Sequence, residues 1–505
     1  MSSRKVVGFI SVLGGKFGSL LLGVFINPLI VRILGSENYG DYAFVLSLFA
    51  ISTTFVHAGM SAGIRKYVAE DRSESYWEEQ VFAFYSRLGV ALAFLGATVL
   101  VVFGLIGPVE RLFGDNFSLY FVLLALMVVT NQLFYISRFT LIGLHLERKS
   151  EPLQVLKQAL FGTIGISLAY AGFNVAGVLL GTAIASLICA LAAAWILHKY
   201  INLKVVFHSA PNHFPKSDLL RFNLYNTIFI LLTISLYNID LLLLQPISGS
   251  HQTGLYKSAL IISQFIWMVP QAVQIVFIHS SSEMWSKEEF DEITDMVSQA
   301  TRYTLLFTLL IIIGIAALAS DFIYYYFGSE FVDAVTPLLL LLPGVLGFAI
   351  ARPIYAVGQG KGELRVLILA TGTAAIINLV LNLLLIPRYG MNGAAVATSI
   401  GYGSMLVFHG FAARIIGYNP FADLRSLKIF FTALVTAIVV FGLSATIQNS
   451  ILSLLIVPII GFFIYTIIAV RVGAIDTIEL LQVTDQLPDP IARYSTKLIQ
   501  KIEPK

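Results

Sequence analysis

The chain has 505 residues, of which 57% are hydrophobic and only 12% carry a charge. A soluble domain contains about 25% charged residues, so this composition excludes a soluble globular protein and indicates a polytopic membrane protein. The 32 basic and 29 acidic residues leave a net charge of +3. This small excess lies in the connecting loops, where basic residues set the orientation of a protein in the membrane, and it does not indicate nucleic-acid binding.

Apolar runs follow one another along the whole chain. A helix needs about 20 apolar residues to cross a bilayer, and about fourteen runs reach that length. They cover approximately 6–34, 39–64, 81–107, 117–142, 153–172, 176–198, 219–246, 254–279, 297–319, 334–356, 364–386, 391–413, 427–447 and 452–470. The first run is too long for the core of a signal peptide, so we expect it to stay as the first span. The sequence therefore predicts an all-α polytopic membrane protein.

Basic residues are unevenly divided between alternate loops. With the N-terminus in the cytoplasm, most loop lysines and arginines fall on the cytoplasmic side, and the outside loops carry only Arg111 and Arg388, with Arg32 near the edge. Cytoplasmic loops of membrane proteins carry an excess of Lys and Arg. We therefore predict a multi-pass protein of the cell membrane with both termini in the cytoplasm.

A short turn motif occurs twice, between apolar runs in both cases. Ser36–Tyr42 and Ser250–Tyr256 share the pattern Ser-x-x-x-Gly-x-Tyr at an offset of 214 residues. Phe113-Gly114 returns as Phe327-Gly328 at the same offset. Several matches at nearly one offset predict an internal duplication.

The duplication predicts a domain organisation. Two six-helix repeats of equal orientation are related by an axis along the membrane normal, and we expect a cavity between the two lobes. Two further helices have no counterpart in the repeat, and residues 491–502 place apolar side chains on one face of a tail helix. The predicted domains are an N-terminal lobe 1–210, a C-terminal lobe 211–420, two additional transmembrane helices 421–472 and a cytoplasmic tail 473–505.

Motifs that would indicate catalysis are weak. The glycine-rich stretch 358–362 lacks the Gly-Lys-Ser/Thr end of a phosphate-binding loop and reads as a tight turn. His208 and His213 lack further metal ligands nearby, and the single Cys189 lies in an apolar run. The predicted outside loops are short. We expect no enzyme, no metal and no cofactor.

Charged residues inside the predicted spans are the strongest functional signal, because a charge at the bilayer centre costs about 2.5–3.5 kcal/mol. Lys16 lies ten residues into the first span, near the midplane. Four arginines lie in the cytoplasmic third of spans 3, 4, 9 and 10, and the repeat matches them as two pairs. We expect these five cations to line the cavity and bind substrate; structural pairing and snorkelling to headgroups are the alternatives. The arginines are Arg87, Arg138, Arg302 and Arg352.

Two further features bear on coupling and movement. Asp240 is the one acid deep in a predicted span and is a candidate for ion coupling, although pairing with Lys257 is an equal alternative. Asn27-Pro28 is predicted to break the first span and to serve as a gate or hinge.

Two turns and the overall layout resemble a known family. Leu34–Tyr42 and the turn Tyr389–Thr398, together with the 6+6+2 arrangement, are similar to polysaccharide transporters of the Wzx type. These transporters belong to the multidrug/oligosaccharidyl-lipid/polysaccharide exporter superfamily. The basic residue of the first span in that family matches Lys16 in type.

This resemblance implies a flippase that moves polyprenyl-linked sugars from the cytoplasmic to the outer face of the membrane by alternating access. The glycan would serve surface polysaccharide or glycoprotein glycosylation, and glycan-assembly enzymes would be partners. The alternatives are a cation-coupled drug exporter of the same superfamily or, from another class, a polytopic membrane glycosyltransferase or polymerase. A cation-coupled exporter would favour more acids in its spans, and a transferase would need a sizeable outside loop.

Overall fold

The structure is a computed structural model. It describes residues 3–57, 59–70, 72, 76–106, 108–208, 214–477, 479 and 481, apart from the side chains of 3–13, 16, 108, 218, 220–224 and 226. The predicted tail helix therefore lies outside the described residues.

These ranges fold into helices, as the apolar periodicity predicts. The α-helices are α1 Ser3–His57, α2 Met60–Val68, α3 Trp77–Leu105, α4 Pro108–Phe113, α5 Phe117–Gly143, α6 Glu147–Leu168, α7 Asn174–Leu197, α8 Lys216–Ile266, α9 Met268–Ser286, α10 Phe290–Phe327, α11 Val335–Lys361, α12 Leu364–Ile416, α13 Ser426–Thr446 and α14 Ser450–Val472. Short 3₁₀ turns cover Leu203–Phe207 and Ser329–Ala334, and a π-helical turn covers Ala169–Phe173.

Ten helical stretches of the described chain are long and apolar enough to cross a membrane. Four of the ten contain a glycine with non-helical backbone angles and so consist of two segments. The glycines are Gly35, Gly172, Gly249 and Gly390. A multi-pass membrane protein is thereby confirmed.

The structure of α1 differs from the prediction at Asn27-Pro28. The helix continues through Asn27 and Pro28, and the non-helical residue is Gly35, with φ 70° and ψ 174°. Glycine reaches a positive φ without steric cost, whereas proline keeps φ near −65°, which a helix accepts. The predicted break at Asn27-Pro28 is therefore wrong, whereas Gly35 lies between the first two apolar runs, where the sequence predicted a turn.

Large apolar side chains remain exposed along the outer helices. Leu369 is 72% exposed, Leu427 84% and Phe430 66%. Water would not tolerate such a surface on a monomeric soluble protein, whereas lipid chains solvate it. The exposed apolar surface therefore agrees with the membrane assignment.

The chain divides into two compact units. Met1–Ser258 with Leu379–Ala394 forms the first, and Ala259–Asn378 with Ala395–Lys505 forms the second. In the first unit, α3, α5, α6 and α7 share an apolar core to which the buried Cys189 belongs, as predicted for that side chain. In the second unit, α10, α13 and α14 pack together through Leu306, Ile429 and Tyr465.

Candidate functional site

The two copies of the turn motif pack backbone against backbone within the first unit. A Cβ added at Gly40 would lie 2.6 Å from the carbonyl carbon of Ser250 and closer still to its oxygen. The reciprocal contact is the same, since a Cβ at Gly254 would lie 3.0 Å from the carbonyl carbon of Ser36. The backbone carbonyl of the serine in each motif therefore leaves no room for a side chain at the glycine of the other, which explains the glycine of the pattern.

Polar side chains join the two turns. Ser36 Oγ lies 2.6 Å from His251 Nδ1. The carboxylate of Asp41 accepts hydrogen bonds from Gln245 Nε2 at 2.8 Å and from Ser250 Oγ at 2.6 Å. Because a carboxylate makes stronger hydrogen bonds than a neutral acceptor, Asp41 is the principal anchor of this contact. We call these residues the crossed-turn contact.

Asp240 is held by the tyrosine of the second motif. Its Oδ2 accepts from Tyr256 Oη at 2.6 Å, its Oδ1 accepts from the backbone N–H of Leu241 at 2.8 Å, and it is fully buried. The charge of Asp240 also acts on Lys257. Tyr256 and the helix backbone therefore hold the buried carboxylate of Asp240, and its pairing with Lys257 stays a prediction.

The structure describes the predicted hinge residues of α1 but not the side chain of Lys16. The Lys16 side chain lies outside the described residues, and its role as a cavity cation stays a prediction. Asn27 and Pro28 are half-buried inside α1, and their role as a hinge stays a prediction as well.

The two arginines of the first unit have different partners. Arg138 Nη2 donates to both oxygens of Glu151, at 2.9 and 3.1 Å, and Glu151 is 2% exposed. Arg87 donates to the backbone carbonyls of Ala83 and His208. Arg138 thus belongs to an ion pair at membrane depth, whereas Arg87 ties α3 to the segment that follows α7.

Arg302 is an anchor at the end of the second unit. Its side chain is fully buried and forms ion pairs with Asp423, at 3.3 Å, and with Glu479. Partial burial alone would raise the pKa of Glu479, but hydrogen bonds from Tyr303, Gln299 and Arg302, with the charge of Arg302, lower this pKa to about 2. In this structure the contacts of Arg302 therefore join α10 to the segments flanking α13 and α14.

Arg352 lies in an aromatic and amide environment on α11. Its Nη1 donates to Gln274 Oε1 at 2.9 Å, and its guanidinium lies 4.7 Å from the ring centre of Phe348 and 5.3 Å from that of Trp267. Such rings attract a cation through their quadrupoles. The sequence matches Arg352 with Arg138, but the two guanidinium groups have partners of different chemistry.

A polar cluster around Lys157 was not predicted from the sequence. Lys157 Nζ, on α6, donates to Asn131 Oδ1 at 3.0 Å and lies 4.9 Å from the ring centre of Phe134. Asn131 Nδ2 lies 3.4 Å from His57 Nε2, and the His57 ring stacks on Tyr135 at 3.5 Å. Three helices thus bring an ammonium, an amide and an imidazole together; we call these residues the Lys157 cluster.

The glycine-rich stretch 358–362 is a helix end. Gly362 has φ 85° and follows the last residue of α11, and a Cβ at Gly360 would lie 2.8 Å from the carbonyl oxygen of Ile278. Lys361 Nζ donates to the carbonyl of Ile416 at 2.9 Å, at the C-terminus of α12. These contacts account for the stretch as the tight turn predicted from the sequence.

The histidines have contacts typical of structural residues. His409 Nε2 lies 3.0 Å from Thr371 Oγ1, within the second unit, and His213 lies outside the described residues. In the part of the chain that is described, no group of three His, Cys, Asp or Glu side chains is placed to hold a metal ion.

The comparisons with known proteins decide the family. The family described as "Polysaccharide biosynthesis protein" matches residues 6–278, more than half of the chain. The chain belongs to this family. It is also similar to the "Probable low-salt glycan biosynthesis flippase Agl15" of Haloferax volcanii, with 27% identity over 228 residues. That alignment spans 44% of this chain and 47% of the relative, less than half of each.

Solved structures share the fold. The chain is similar to a structure titled "Lipid II flippase MurJ, inward closed conformation", with a TM-score of 0.72 and 16% identity over 92% of this chain and 98% of that one. It is also similar to an inward-facing multidrug resistance MATE family transporter of the MOP superfamily, with a TM-score of 0.62 and 14% identity over 80% and 96% of the two chains. The chain therefore shares the fold of these two proteins.

The family match covers most of the features described in the first unit. The crossed-turn contact, the Lys157 cluster and Arg138 all lie within residues 6–278, whereas Arg302 and Arg352 lie beyond the match. Sequence reasoning missed Lys157 because it lies only four residues into the predicted run 153–172, after the mostly charged residues 147–151. An earlier predicted start of this helix would have revealed it, since α6 begins at Glu147 and Lys157 lies ten residues further on, inside the helix.

Proposed function

We propose that the protein is a flippase that moves sugars or oligosaccharides linked to a polyprenyl phosphate or pyrophosphate across the cell membrane by alternating access. The observation that carries the proposal is the family match over residues 6–278, in a chain whose helices hold basic side chains at membrane depth. An anionic phosphate that crosses a medium of low dielectric requires positive charge along its path. Lys157 and Arg138 supply such charge in the first unit.

The proposed topology is about fourteen spans, in two six-helix repeats followed by two further helices, with both termini in the cytoplasm. Backbone breaks 214 positions apart support the repeats. Gly35 and Gly249 have φ of 70° and 84°, and Gly114 and Gly328 have φ of 102° and 111°. The crossed-turn contact adds a reciprocal relation between the same two copies.

Roles for the predicted site residues follow from this function. Basic side chains along the path would bind the phosphate, Asp240 would be the site of any ion coupling, and the helix around Asn27 and Pro28 would bend. The proposed phosphate-binding residues are Lys16, Arg87, Arg138, Arg302 and Arg352. Arg302 would have to exchange its two carboxylate partners to take part, which makes it the weakest member of this set.

The proposed substrate has two chemically distinct parts. The polyprenyl tail stays among the lipid chains, and the sugar and its phosphate pass along polar groups of the protein. Enzymes that assemble the glycan on the cytoplasmic side and those that use it outside are the proposed partners.

Deletion of the gene tests the proposal. A flippase defect traps the lipid-linked sugar on the cytoplasmic leaflet and removes the surface glycan, and the native gene restores both. Complementation with Lys16→Ala is expected to fail, while the exposed-site control Lys149→Ala restores the glycan. An unglycosylated acceptor without a trapped lipid intermediate would instead indicate an enzyme, and lost drug resistance with normal glycan would indicate a drug exporter.

A further inference from the structure

Lys157 is a cation inside α6 whose charge is not neutralised within the described part of the chain. Its Nζ has one hydrogen-bond acceptor, Asn131 Oδ1, at 3.0 Å. The ion pairs formed between described side chains do not include it. An ammonium has three N–H donors, so two remain for a ligand. A charge held at membrane depth in this way is unfavourable unless something else pairs with it.

The carboxylate near Lys157 already has a cationic partner. Glu151 accepts two hydrogen bonds from Arg138 Nη2 and packs against Gly15, where an added Cβ would lie 2.8 Å from Glu151 Oε2. The charges of Arg138 and Lys157 repel each other. Among Glu151, Arg138 and Lys157, one negative charge faces two positive charges, and an anion would neutralise the excess.

The Lys157 cluster adjoins a cavity. Asn131 Nδ2 lies 3.4 Å from His57 Nε2, and His57 lines a cavity of about 60 Å³ together with Thr54, Gly59, Tyr135, Thr227 and Ile230. A cavity can hold a water molecule once its volume reaches roughly 10–15 Å³. The polar side of the cluster therefore adjoins a space large enough for water, through which an anion would approach.

We propose that Lys157, oriented by Asn131 and assisted by the Arg138–Glu151 pair, binds the phosphate group of the transported lipid. This inference rests on the proposed function and assigns a phosphate-binding residue that the sequence did not predict. The two remaining N–H groups of Lys157 donate to phosphate oxygens, and the added negative charge balances Arg138 and Lys157 together. The ligand is a phosphate ester, supplied either by a polyprenyl carrier or by a membrane phospholipid.

Equilibrium binding to the purified full-length protein tests the assignment. Undecaprenyl phosphate is titrated against the native chain, Lys157→Met, Lys157→Arg and the control Lys149→Met, which removes an exposed lysine from the first turn of the same helix. Loss of a charged hydrogen-bond partner is expected to raise the Kd of Lys157→Met roughly 10- to 100-fold. Lys149→Met should stay within about threefold of the native Kd, since it keeps the charge of the cluster. Lys157→Arg keeps the charge but not the geometry of the ammonium, so its Kd should lie between those of the native chain and Lys157→Met.

Competition arms identify the source of the phosphate. Inorganic pyrophosphate should displace undecaprenyl phosphate from the native chain and not from Lys157→Met, which shows that the headgroup is bound at Lys157. Phosphatidylglycerol should compete weakly. Equal competition by phosphatidylglycerol would overturn the assignment to the transported lipid.

The remaining outcomes separate this inference from the proposed function. A Lys157→Met variant that binds undecaprenyl phosphate like the native chain overturns the site, even where gene deletion still traps a lipid-linked sugar. A native chain that binds no polyprenyl phosphate, with no trapped lipid after deletion, overturns both. If Lys157→Met does not fold, Asn131→Leu replaces it as the test, because this variant keeps the charge of Lys157 and removes the group that orients it. Asn131→Leu should weaken binding several-fold. Its melting temperature is compared with that of Lys149→Met to show that it is folded.

Discussion

Replacing Gly40 by alanine perturbs the crossed-turn contact at its closest point. The new methyl group would lie 2.6 Å from the carbonyl carbon of Ser250 and 3.0 Å from the backbone nitrogen of Gly254. Both are backbone atoms, so no side-chain rotation can relieve the overlap. Carbon atoms normally rest about 3.5–4.0 Å apart, and the two turns would therefore have to separate by roughly 1 Å.

The expected cost is that of overpacking. Inserting a methyl group into a close contact typically costs about 1–3 kcal/mol and occasionally more. Alanine also gains about 0.5–1 kcal/mol over glycine inside a helix. Gly23→Ala serves as the matched control, because an added Cβ meets nothing within 4 Å there and the position lies in the same helix. The difference between the two variants isolates the steric cost.

Under the proposed alternating-access mechanism, this cost would change the transport cycle. If the crossed turns separate during transport, a penalty of about 1–3 kcal/mol on the closed contact shifts the population toward the separated state by roughly 5- to 150-fold. The assay is disulfide formation between Ser36→Cys and His251→Cys in a Cys189→Ala background, since those two side chains are in hydrogen-bonding distance. Gly40→Ala should lower the disulfide yield, and Gly23→Ala should not.

Gly40→Ala should also melt at a lower temperature than Gly23→Ala. Gly254→Ala should likewise lower the disulfide yield and the melting temperature, because its contact with Ser36 is reciprocal. Equal disulfide yields and equal melting temperatures for Gly40→Ala and Gly23→Ala would refute the reasoning.

Three further variants test other contacts. The pKa of Glu479 is lowered from 4.5 to about 2, so its interactions stabilise the folded protein fully above pH 4.5 and are lost as the pH falls toward 2. Glu479→Gln should therefore melt at a lower temperature than the native chain at pH 7, and the difference between the two melting temperatures should disappear as the pH falls from 4.5 to 2. Arg138→Leu leaves the carboxylate of Glu151 buried without this partner and should cost about 3–5 kcal/mol, while the Arg138→Leu/Glu151→Leu double variant should recover most of the melting temperature. Gln252→Leu removes the acceptor of the Met391 N–H at 2.9 Å and should cost about 1–3 kcal/mol by leaving that donor unsatisfied, measured by thermal unfolding.

Hydropathy predicted the helices because the bilayer requires every backbone group to be satisfied within its own segment. The duplicated turn motif likewise marked Gly35 and Gly249, which end the segments before it with positive φ. The contact between the two copies was not predictable, since serine and glycine patterns report local geometry and not the partner 214 residues away. The break predicted at Pro28 was wrong because a proline inside a long membrane helix is tolerated without a change in φ and ψ.

The charged residues show a similar division. The depth of Arg138 and Arg302 was predicted by counting residues along apolar runs. Their partners did not, because Glu151 and Glu479 lie in segments that hydropathy reads as polar flanks. Lys157 was overlooked for the same reason, and its proximity to Asn131 appears only when α5 and α6 pack.

The ion pairs of Arg302 set a practical limit on shortening the protein. Glu479 lies seven residues after the end of α14 at Val472, and a chain cut at the membrane boundary would leave a fully buried guanidinium facing Asp423 alone. Fusion partners and purification tags are therefore better joined beyond residue 481. A truncation at 473 that lowers expression would reflect a lost charge partner inside the second unit, and not the loss of a docking tail.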